Sequence, residues 1–192
     1  MKLILGSTSP FRKALLERLH INFSCDSPDI DETPLNKEPV EDMVVRLAIA
    51  KAQAIAHRHP DSLIIGSDQS AVLNGEKLSK PGNFENAFKQ LTEASGQSIV
   101  FQTGLCLLNT HSGKIQSSCV PYTVVFKHLS PEMIENYLHK EQPYNCAGSF
   151  KSEALGIALF ERFEGNDPNA LIGLPLIALI NFLENEGVSI LA

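Results

Sequence analysis

The 192-residue sequence has no paired cysteines, no excess of basic residues and no long hydrophobic run, and each absence removes a class of protein. Its four cysteines, Cys25, Cys106, Cys119 and Cys146, are scattered without any CxxC spacing. They form neither a zinc motif nor a disulfide framework, and read as packed, reduced thiols of an intracellular protein. Lys and Arg total 16 against 22 Asp and Glu, a formal net charge of −6. A nucleic acid polymer as partner would select the opposite balance. The apolar stretch 174–180 is broken by Pro175 and falls far short of the ~20 residues of a membrane-spanning helix. Behind Lys2 only Leu3, Ile4 and Leu5 precede Gly6, too few for the apolar region of a secretory signal. No low-complexity linker and no repeat interrupts the chain. The expectation is a soluble, cytoplasmic protein with neither membrane nor nucleic acid polymer as partner.

What is present is an ordinary globular composition, 43% apolar and 20% charged. A chain of this length buries about 70% of its unfolded surface, so no metal or disulfide is needed for stability. Strand and helix signals alternate. Residues 2–5 read as a strand ended by Gly6, and Ser9-Pro10 as the cap and first residue of a helix with Leu15, Leu16 and Leu19 on its buried stripe. A second strand is expected at 22–27, an acidic proline-containing loop at 26–39, and a long helix at 40–59 with His57 and His59 at its C-terminal end. Residues 63–66 read as a strand buried on both faces, and Asn74-Gly75 as a hairpin turn. A helix over 83–95, long strands over 97–109 and 114–128, a helix over 130–140, a strand pair at 155–163 and a final helix over 174–186 complete the pattern. The fold class is mixed α/β: one domain over residues 1–192, with any division being into two lobes that share a cleft.

Three segments carry chemistry. In Gly6-Ser7-Thr8-Ser9-Pro10-Phe11-Arg12-Lys13 a strand ends in a small polar turn and a helix begins. Free backbone N–H groups, hydroxyls and two cations then converge, as an anion site requires. The Gly-Lys-Ser/Thr ending of a Walker loop is missing, and no serine is flanked as in a nucleophile elbow. A capped helix with solvated basic residues accounts for the segment equally well. The second segment is Gly66-Ser67-Asp68-Gln69, an acid at the C-terminal end of a buried strand, where open α/β sheets place functional groups. A turn-forming aspartate is the alternative. The third is Ser79-Lys80-Pro81-Gly82, a lysine in a rigid loop. With Glu32 in Asp31-Glu32-Thr33-Pro34, two acids plus Lys and Arg suit a magnesium–triphosphate site, in which hard oxygen ligands hold the metal and cations hold phosphates. Arg46 and Lys51 share the helix over 40–59, and both are expected to face this site.

The run 5–16, together with Asp31-Glu32-Thr33-Pro34, Arg46-Leu47-Ala48 with Lys51-Ala52, Gly66-Ser67-Asp68, Lys80-Pro81, Cys146-Ala147-Gly148-Ser149-Phe150, Phe160-Glu161 and Gly173-Leu174-Pro175, resembles the Maf family of nucleoside triphosphate pyrophosphatases. The resemblance spans nearly the whole chain, in order and at family-like spacing. It implies a central twisted mixed sheet flanked by helices, of the Maf/ITPase-like kind, with two lobes around a nucleotide cleft. It also implies hydrolysis between the α- and β-phosphates of a nucleoside triphosphate. By that resemblance Asp68 is the proton acceptor for the attacking water, and Ser7, Ser9, Arg12, Lys51 and Lys80 line the triphosphate. Glu32 and Asp68 bind a divalent cation (Mg2+, Mn2+ or Co2+), and a homodimer is suggested.

The trio Phe11, Gln69 and Glu153 is similar to the YceF-like subfamily, which prefers 7-methyl-GTP. Methylation at N7 makes guanine cationic, and such a ring stacks on an aromatic face and suits a carboxylate. The expected role is removal of methylated nucleotides before they enter nucleic acids. The alternatives are a dTTP/UTP- or ITP-type pyrophosphatase, and a nucleotide-binding regulator of septum formation. His57-Arg58-His59 reads as a helix terminus rather than a metal pair, and Lys151 as either a phosphate contact or a solvated side chain.

Overall fold

The computed structural model describes residues 1–191, and these pack as two compact units. Met1–Gln69, Gln102–Val120 and residues 167–191 form the first, and Ser70–Phe101 with Pro121–Asn166 the second. Among the described residues there are seven strands and six α-helices, interleaved along the chain. The strands make one mixed sheet in the order β2-β1-β3-β5-β6-β7, with β4 paired to β3.

In the first unit β1 (Lys2–Gly6) lies parallel to both β2 (Ser24–Asp26) and β3 (Ser62–Leu73), with Gly6 in register with Asp26 and Gly66. The two-residue period of a strand sends neighbours to opposite layers. Leu3, Leu5, Leu63 and Ile65 pack with Leu15 and Leu16 of α1 (Pro10–Glu17) and Leu179 and Leu183 of α6 (Leu176–Glu184). Ile4 and Ile64 turn the other way, onto Ala48, Ala52 and Ile55 of α2 (Val40–Ala56). These strands are therefore continuous apolar runs because both faces are covered.

The close approach of α2 depends on a missing side chain. A Cβ on Gly66 would stand 2.0 Å from the carbonyl oxygen of Ala48. One on Gly104, in β5 (Ser98–Asn109), would stand 2.1 Å from that of Val44. Both obstacles are helix backbone, which cannot rotate away. Gly66→Ala should therefore cost about 3 kcal/mol, the upper end of overpacking penalties. Denaturant unfolding checks this, and an unchanged midpoint would show that α2 does not press on the sheet there.

In the second unit the last residues of β3 pair antiparallel with β4 (Glu76–Leu78), Ala71 opposite Leu78. Asn74 and Gly75, both at positive φ, make the turn as expected. β6 (Ile115–Phe126) pairs antiparallel with β7 (Phe160–Glu164), Thr123 opposite Glu164, with an irregularity at Val125/Phe126. Phe126, Phe150 and Phe160 meet edge to face, with ring centroids 4.8 to 5.5 Å apart. α3 (Phe84–Ala94) and α4 (Pro131–Glu141) meet where Phe84 stacks on His139 at 5.2 Å.

Four local expectations need correction. β3 does not stop at Gly66 but runs on through Asp68 to Leu73, so Asp68 stands inside a strand rather than in a turn beyond it. The strand pair at 155–163 is a 3₁₀ turn, Leu155–Leu159, followed by β7 alone. The final helix is preceded by a separate one-turn helix, α5 (Pro168–Ile172), and begins only after Pro175. Cys25 is exposed rather than packed, although Cys106 is buried and its thiol is pushed up to about 12 by desolvation.

Candidate active site

The turn from β1 into α1 has the strand end, serine cap and helix start expected of it. Ser7 is buried and its Oγ accepts the Ser9 N–H at 3.1 Å. Ser9 caps α1, its Oγ accepting the Arg12 N–H at 3.4 Å, and Pro10 occupies the first turn. The two cations of this helix then part company. Lys13 points to solvent and reaches Glu17, whereas Arg12 turns inward. Arg12 Nε donates to the Gly173 carbonyl at 2.8 Å, and Ser67 Oγ donates to the same oxygen at 2.9 Å. Gly173 holds a φ of 115°, which L-residues avoid, and ends α5. One carbonyl therefore orients the guanidinium through Nε and leaves its Nη groups to a ligand. Burial lowers the Arg12 pKa, and the carboxylates of Asp68 and Glu32 oppose that shift. Phe11 stands 42% exposed beside this turn, an aromatic face available for stacking.

The centre of the site is one ammonium between two carboxylates. Lys51, on α2, extends its Nζ to 2.6 Å from Asp68 Oδ1 and 2.7 Å from Glu32 Oε1. The Lys51 and Asp68 side chains are nearly buried, at 9% and 11% exposed, while that of Glu32 is 59% exposed. The cluster thus opens to solvent at Glu32. Alternation along β3 puts Ser67 toward Gly173 and Asp68 toward Lys51. Among the described residues no group of three or more His, Cys, Asp and Glu side chains stands together as a metal cage. Two converging carboxylates fit instead a hard cation of the magnesium kind, which takes one or two carboxylates and completes its shell with waters and substrate phosphates.

Gln69 is tied by its amide nitrogen. Nε2 lies 3.0 Å from Thr103 Oγ1, 2.6 Å from the Ala170 carbonyl and 3.1 Å from that of Leu171. Its Oε1 is the atom left to recognise a ligand. α5 is itself fixed by Asp167, buried at 2% exposed, whose carboxylate accepts from the backbone N–H groups of Asn169 and Ile177. From the sequence, Thr103 and α5 have no expected role in the site, and Gly173 only a place in the motif Gly173-Leu174-Pro175. Asp167-Pro168, a capping residue before a first-turn proline, was the available signal for α5.

Arg46 does not face the carboxylate cluster with Lys51. Its guanidinium forks onto Glu38, Nε to Oε1 at 2.5 Å and Nη2 to Oε2 at 2.7 Å, and Nη2 also reaches the Thr33 carbonyl at 3.3 Å. The Arg46 fork holds the Glu38 carboxyl down at about 2. Because this folded-state value lies below the ordinary one, the pair contributes stability above about pH 4.5 and loses it as pH falls toward 2. Glu38→Gln should accordingly flatten acid-induced destabilisation across that window in thermal unfolding. His59 likewise bonds Asp26 at 2.6 Å, holding that carboxyl below its usual range.

The remaining expected residues belong to the second unit. Lys80 is exposed on a loop held from both sides, by Asn86 Nδ2 on the Pro81 carbonyl and Gln90 Nε2 on that of Ser79. Gln90 also accepts from Ser149 Oγ at 2.6 Å, so α3 supports the segment at 146–150 as well. Burial pushes the Cys146 thiol up, with Lys151 and Lys80 opposing that shift and Glu153 adding to it. Glu153 is exposed, with the Ser152 hydroxyl 3.3 Å from its carboxylate. Lys151 pairs with Glu141 at 3.0 Å.

A family model described as "Maf-like protein" matches residues 2–186. A protein named 7-methyl-GTP pyrophosphatase from Pseudomonas savastanoi pv. phaseolicola is 55% identical over 188 residues, 98% of each chain. Among solved structures, a HAM1 protein from Coxiella burnetii superposes with a TM-score of 0.58 at 15% identity, covering 97% of this chain and 98% of that one. The Ham1 protein of Staphylococcus aureus gives 0.55 at 12% identity, covering 97% and 100%. These two likenesses speak for the fold alone. No helix among the described residues is long and apolar enough to cross a membrane.

Proposed function

The chain belongs to the Maf family, and from that footing we propose that it is a nucleoside triphosphate pyrophosphatase that hydrolyses 7-methyl-GTP to 7-methyl-GMP and pyrophosphate. The observation that carries the chemistry is the Lys51 ammonium, 2.6 Å from Asp68 and 2.7 Å from Glu32, with Arg12 turned inward nearby on the Gly173 carbonyl. The substrate rests on the 55% identical relative and on the trio Phe11, Gln69 and Glu153. The chain acts as one pyrophosphatase domain over 1–192, in the cytoplasm, and its partner is the nucleotide rather than a nucleic acid polymer. A homodimer is part of the same reading.

In this mechanism a water attacks the α-phosphorus. The new oxygen–phosphorus bond forms as the bond to the β-phosphate oxygen breaks, and pyrophosphate leaves with the electron pair. Asp68 accepts the water's proton and orients its lone pair. Ser7 and Ser9 hydroxyls hold phosphate oxygens at the start of α1, where the helix terminus favours anions. Arg12, Lys51 and Lys80 match the charge that grows on the leaving group, which stabilises the transition state more than the ground state. Glu32 and Asp68 would hold a divalent cation, which would supply Lewis-acid polarisation of the phosphates. Phe11 stacks on the cationic base, Glu153 faces its positive charge and accepts from the guanine edge, and Gln69 Oε1 is left to accept a hydrogen bond. Clearing such a nucleotide keeps the methylated base out of nucleic acids.

The test is pyrophosphate release from a panel of nucleoside triphosphates with magnesium, manganese or cobalt. The expected result is a preference for 7-methyl-GTP over GTP, dTTP, UTP and ITP. A preference for dTTP and UTP would defeat the base assignment and leave the reaction standing. Tight nucleotide binding with no pyrophosphate released would instead favour a regulator of septum formation. Within the trio, Phe11→Ala should raise KM for 7-methyl-GTP about tenfold, one stacking contact being worth ~1–2 kcal/mol, with kcat less affected. An equal loss on GTP would show that Phe11 does not sense the methylated base.

A further inference from the structure

We propose that Arg46 and Glu38 form a brace that positions Glu32, so that Arg46 acts on metal binding without touching metal or substrate. This rests on the reading of Glu32 as a metal ligand. Glu32 sits in the long loop between β2 and α2, a segment without regular structure, and its side chain is exposed. Such a loop loses precision unless its middle is fastened, since a ligand must be held within a fraction of an ångström to bind well. The loop's first end is fastened by Asp26, which takes His59 at 2.6 Å and Arg58 at 3.0 Å from beyond the C-terminal end of α2. Its last end is the start of α2, whose cap position, Pro39, offers no side-chain hydrogen bond.

Between these ends the chain is held by α2 itself. Lys51 grips residue 32 through the carboxylate, and Arg46 grips residue 33 through the carbonyl, at 3.3 Å. Consecutive residues are thus tied to two cations of one rigid helix. Arg46 is in turn locked by the two-pronged bond to Glu38, whose side chain is only 8% exposed and whose Oε2 also accepts the Leu35 N–H at 3.0 Å. Asp31 closes the turn from the other side, its Oδ1 accepting both the N–H and the hydroxyl of Thr33. Two backbone points, at 33 and 35, are therefore bound with the Glu38 carboxylate into one network around the Arg46 fork. A planar guanidinium with two parallel donors can do this, and a lysine ammonium cannot. The arrangement also explains why Arg46 is not a phosphate contact: its charge is already met by Glu38.

The experiment uses Arg46→Lys, which keeps the charge, and Glu38→Gln, which keeps the shape. In each, the manganese concentration giving half-maximal pyrophosphate release and the manganese affinity by electron paramagnetic resonance are measured, with amide exchange across 27–39. Groups that orient a metal ligand typically change affinity 10–100-fold, so each variant should weaken manganese binding by about tenfold or more. At saturating manganese kcat should return to near the wild-type value. Amides at 31–35 should exchange faster, and the double variant should be no worse than either single one. Wild-type manganese affinity and wild-type exchange in Arg46→Lys would overturn the proposal, as would a loss of kcat that saturating manganese does not restore. Glu32→Gln separates the two ideas. If it leaves manganese affinity unchanged, the metal role of Glu32 fails, and exchange at 31–35 alone decides the brace: faster exchange upholds it and unchanged exchange overturns it.

Discussion

Replacing Asp68 with asparagine should lower kcat by about three orders of magnitude, within the range for loss of a positioned acid–base group, while nucleotide affinity stays within a few-fold. The substitution keeps the shape of the side chain inside β3 and removes its charge and its capacity to accept a proton. Arg12, Ser7 and Ser9 keep their positions, because these are set by the Gly173 carbonyl and by the cap of α1, and Lys51 keeps its pairing to Glu32. Binding and turnover therefore separate. The measurements are single-turnover hydrolysis of 7-methyl-GTP and calorimetric binding of a non-hydrolysable analogue. Hydrolysis within about tenfold of wild type would remove Asp68 from its role. Loss of binding in equal proportion to turnover would show that Asp68 works mainly by holding the nucleotide.

The parts of this site that could be read in advance are those whose chemistry is local in the chain. Ser7, Ser9, Pro10 and Arg12 lie close together in the chain, so a strand end, a cap and a helix start could be recognised together, and the structure has them so. It also separates Arg12 from Lys13, which composition cannot do, because the choice depends on a carbonyl 161 residues away. Asp68 was legible as an acid following an apolar run, but not as a mid-strand residue. The expected strand ended with Gly66, whose missing side chain is what admits the backbone of α2 at Ala48. Gln69 likewise depends on carbonyls about 100 positions away, on a helix of five residues, too short to show a period. Arg46 was misread for a related reason. Cations on one helix were expected to share one task, but five positions along α2 separate a side chain aimed at the carboxylates from one aimed at the loop that presents them.

Lys51→Met should both stop turnover and change how the protein responds to divalent ions. In the wild type the ammonium lies between Asp68 and Glu32 and offsets their repulsion. Methionine preserves the volume of the chain along α2 and leaves two carboxylates facing each other, one of them nearly buried. Removing a partner from a fully buried pair costs ~3–5 kcal/mol; with Glu32 open to solvent the expectation is about 2 kcal/mol. For a chain of this size that is a fall in Tm of about 4–8 °C. Any ion that binds only the folded state then stabilises in proportion to its affinity, by ~2.7 kcal/mol at a hundred times Kd. The variant offers a cation more uncompensated charge than the wild type does, so manganese should raise its Tm by several degrees more. Turnover should nonetheless stay depressed by about a hundredfold or more at saturating manganese, because the ammonium proposed to meet the leaving group is gone. Differential scanning fluorimetry with and without manganese, beside pyrophosphate release, reads both effects. Equal manganese shifts in the two proteins would mean that the ion does not use the carboxylates Lys51 bridges, and the assignment of Glu32 and Asp68 as its ligands would fall with that result.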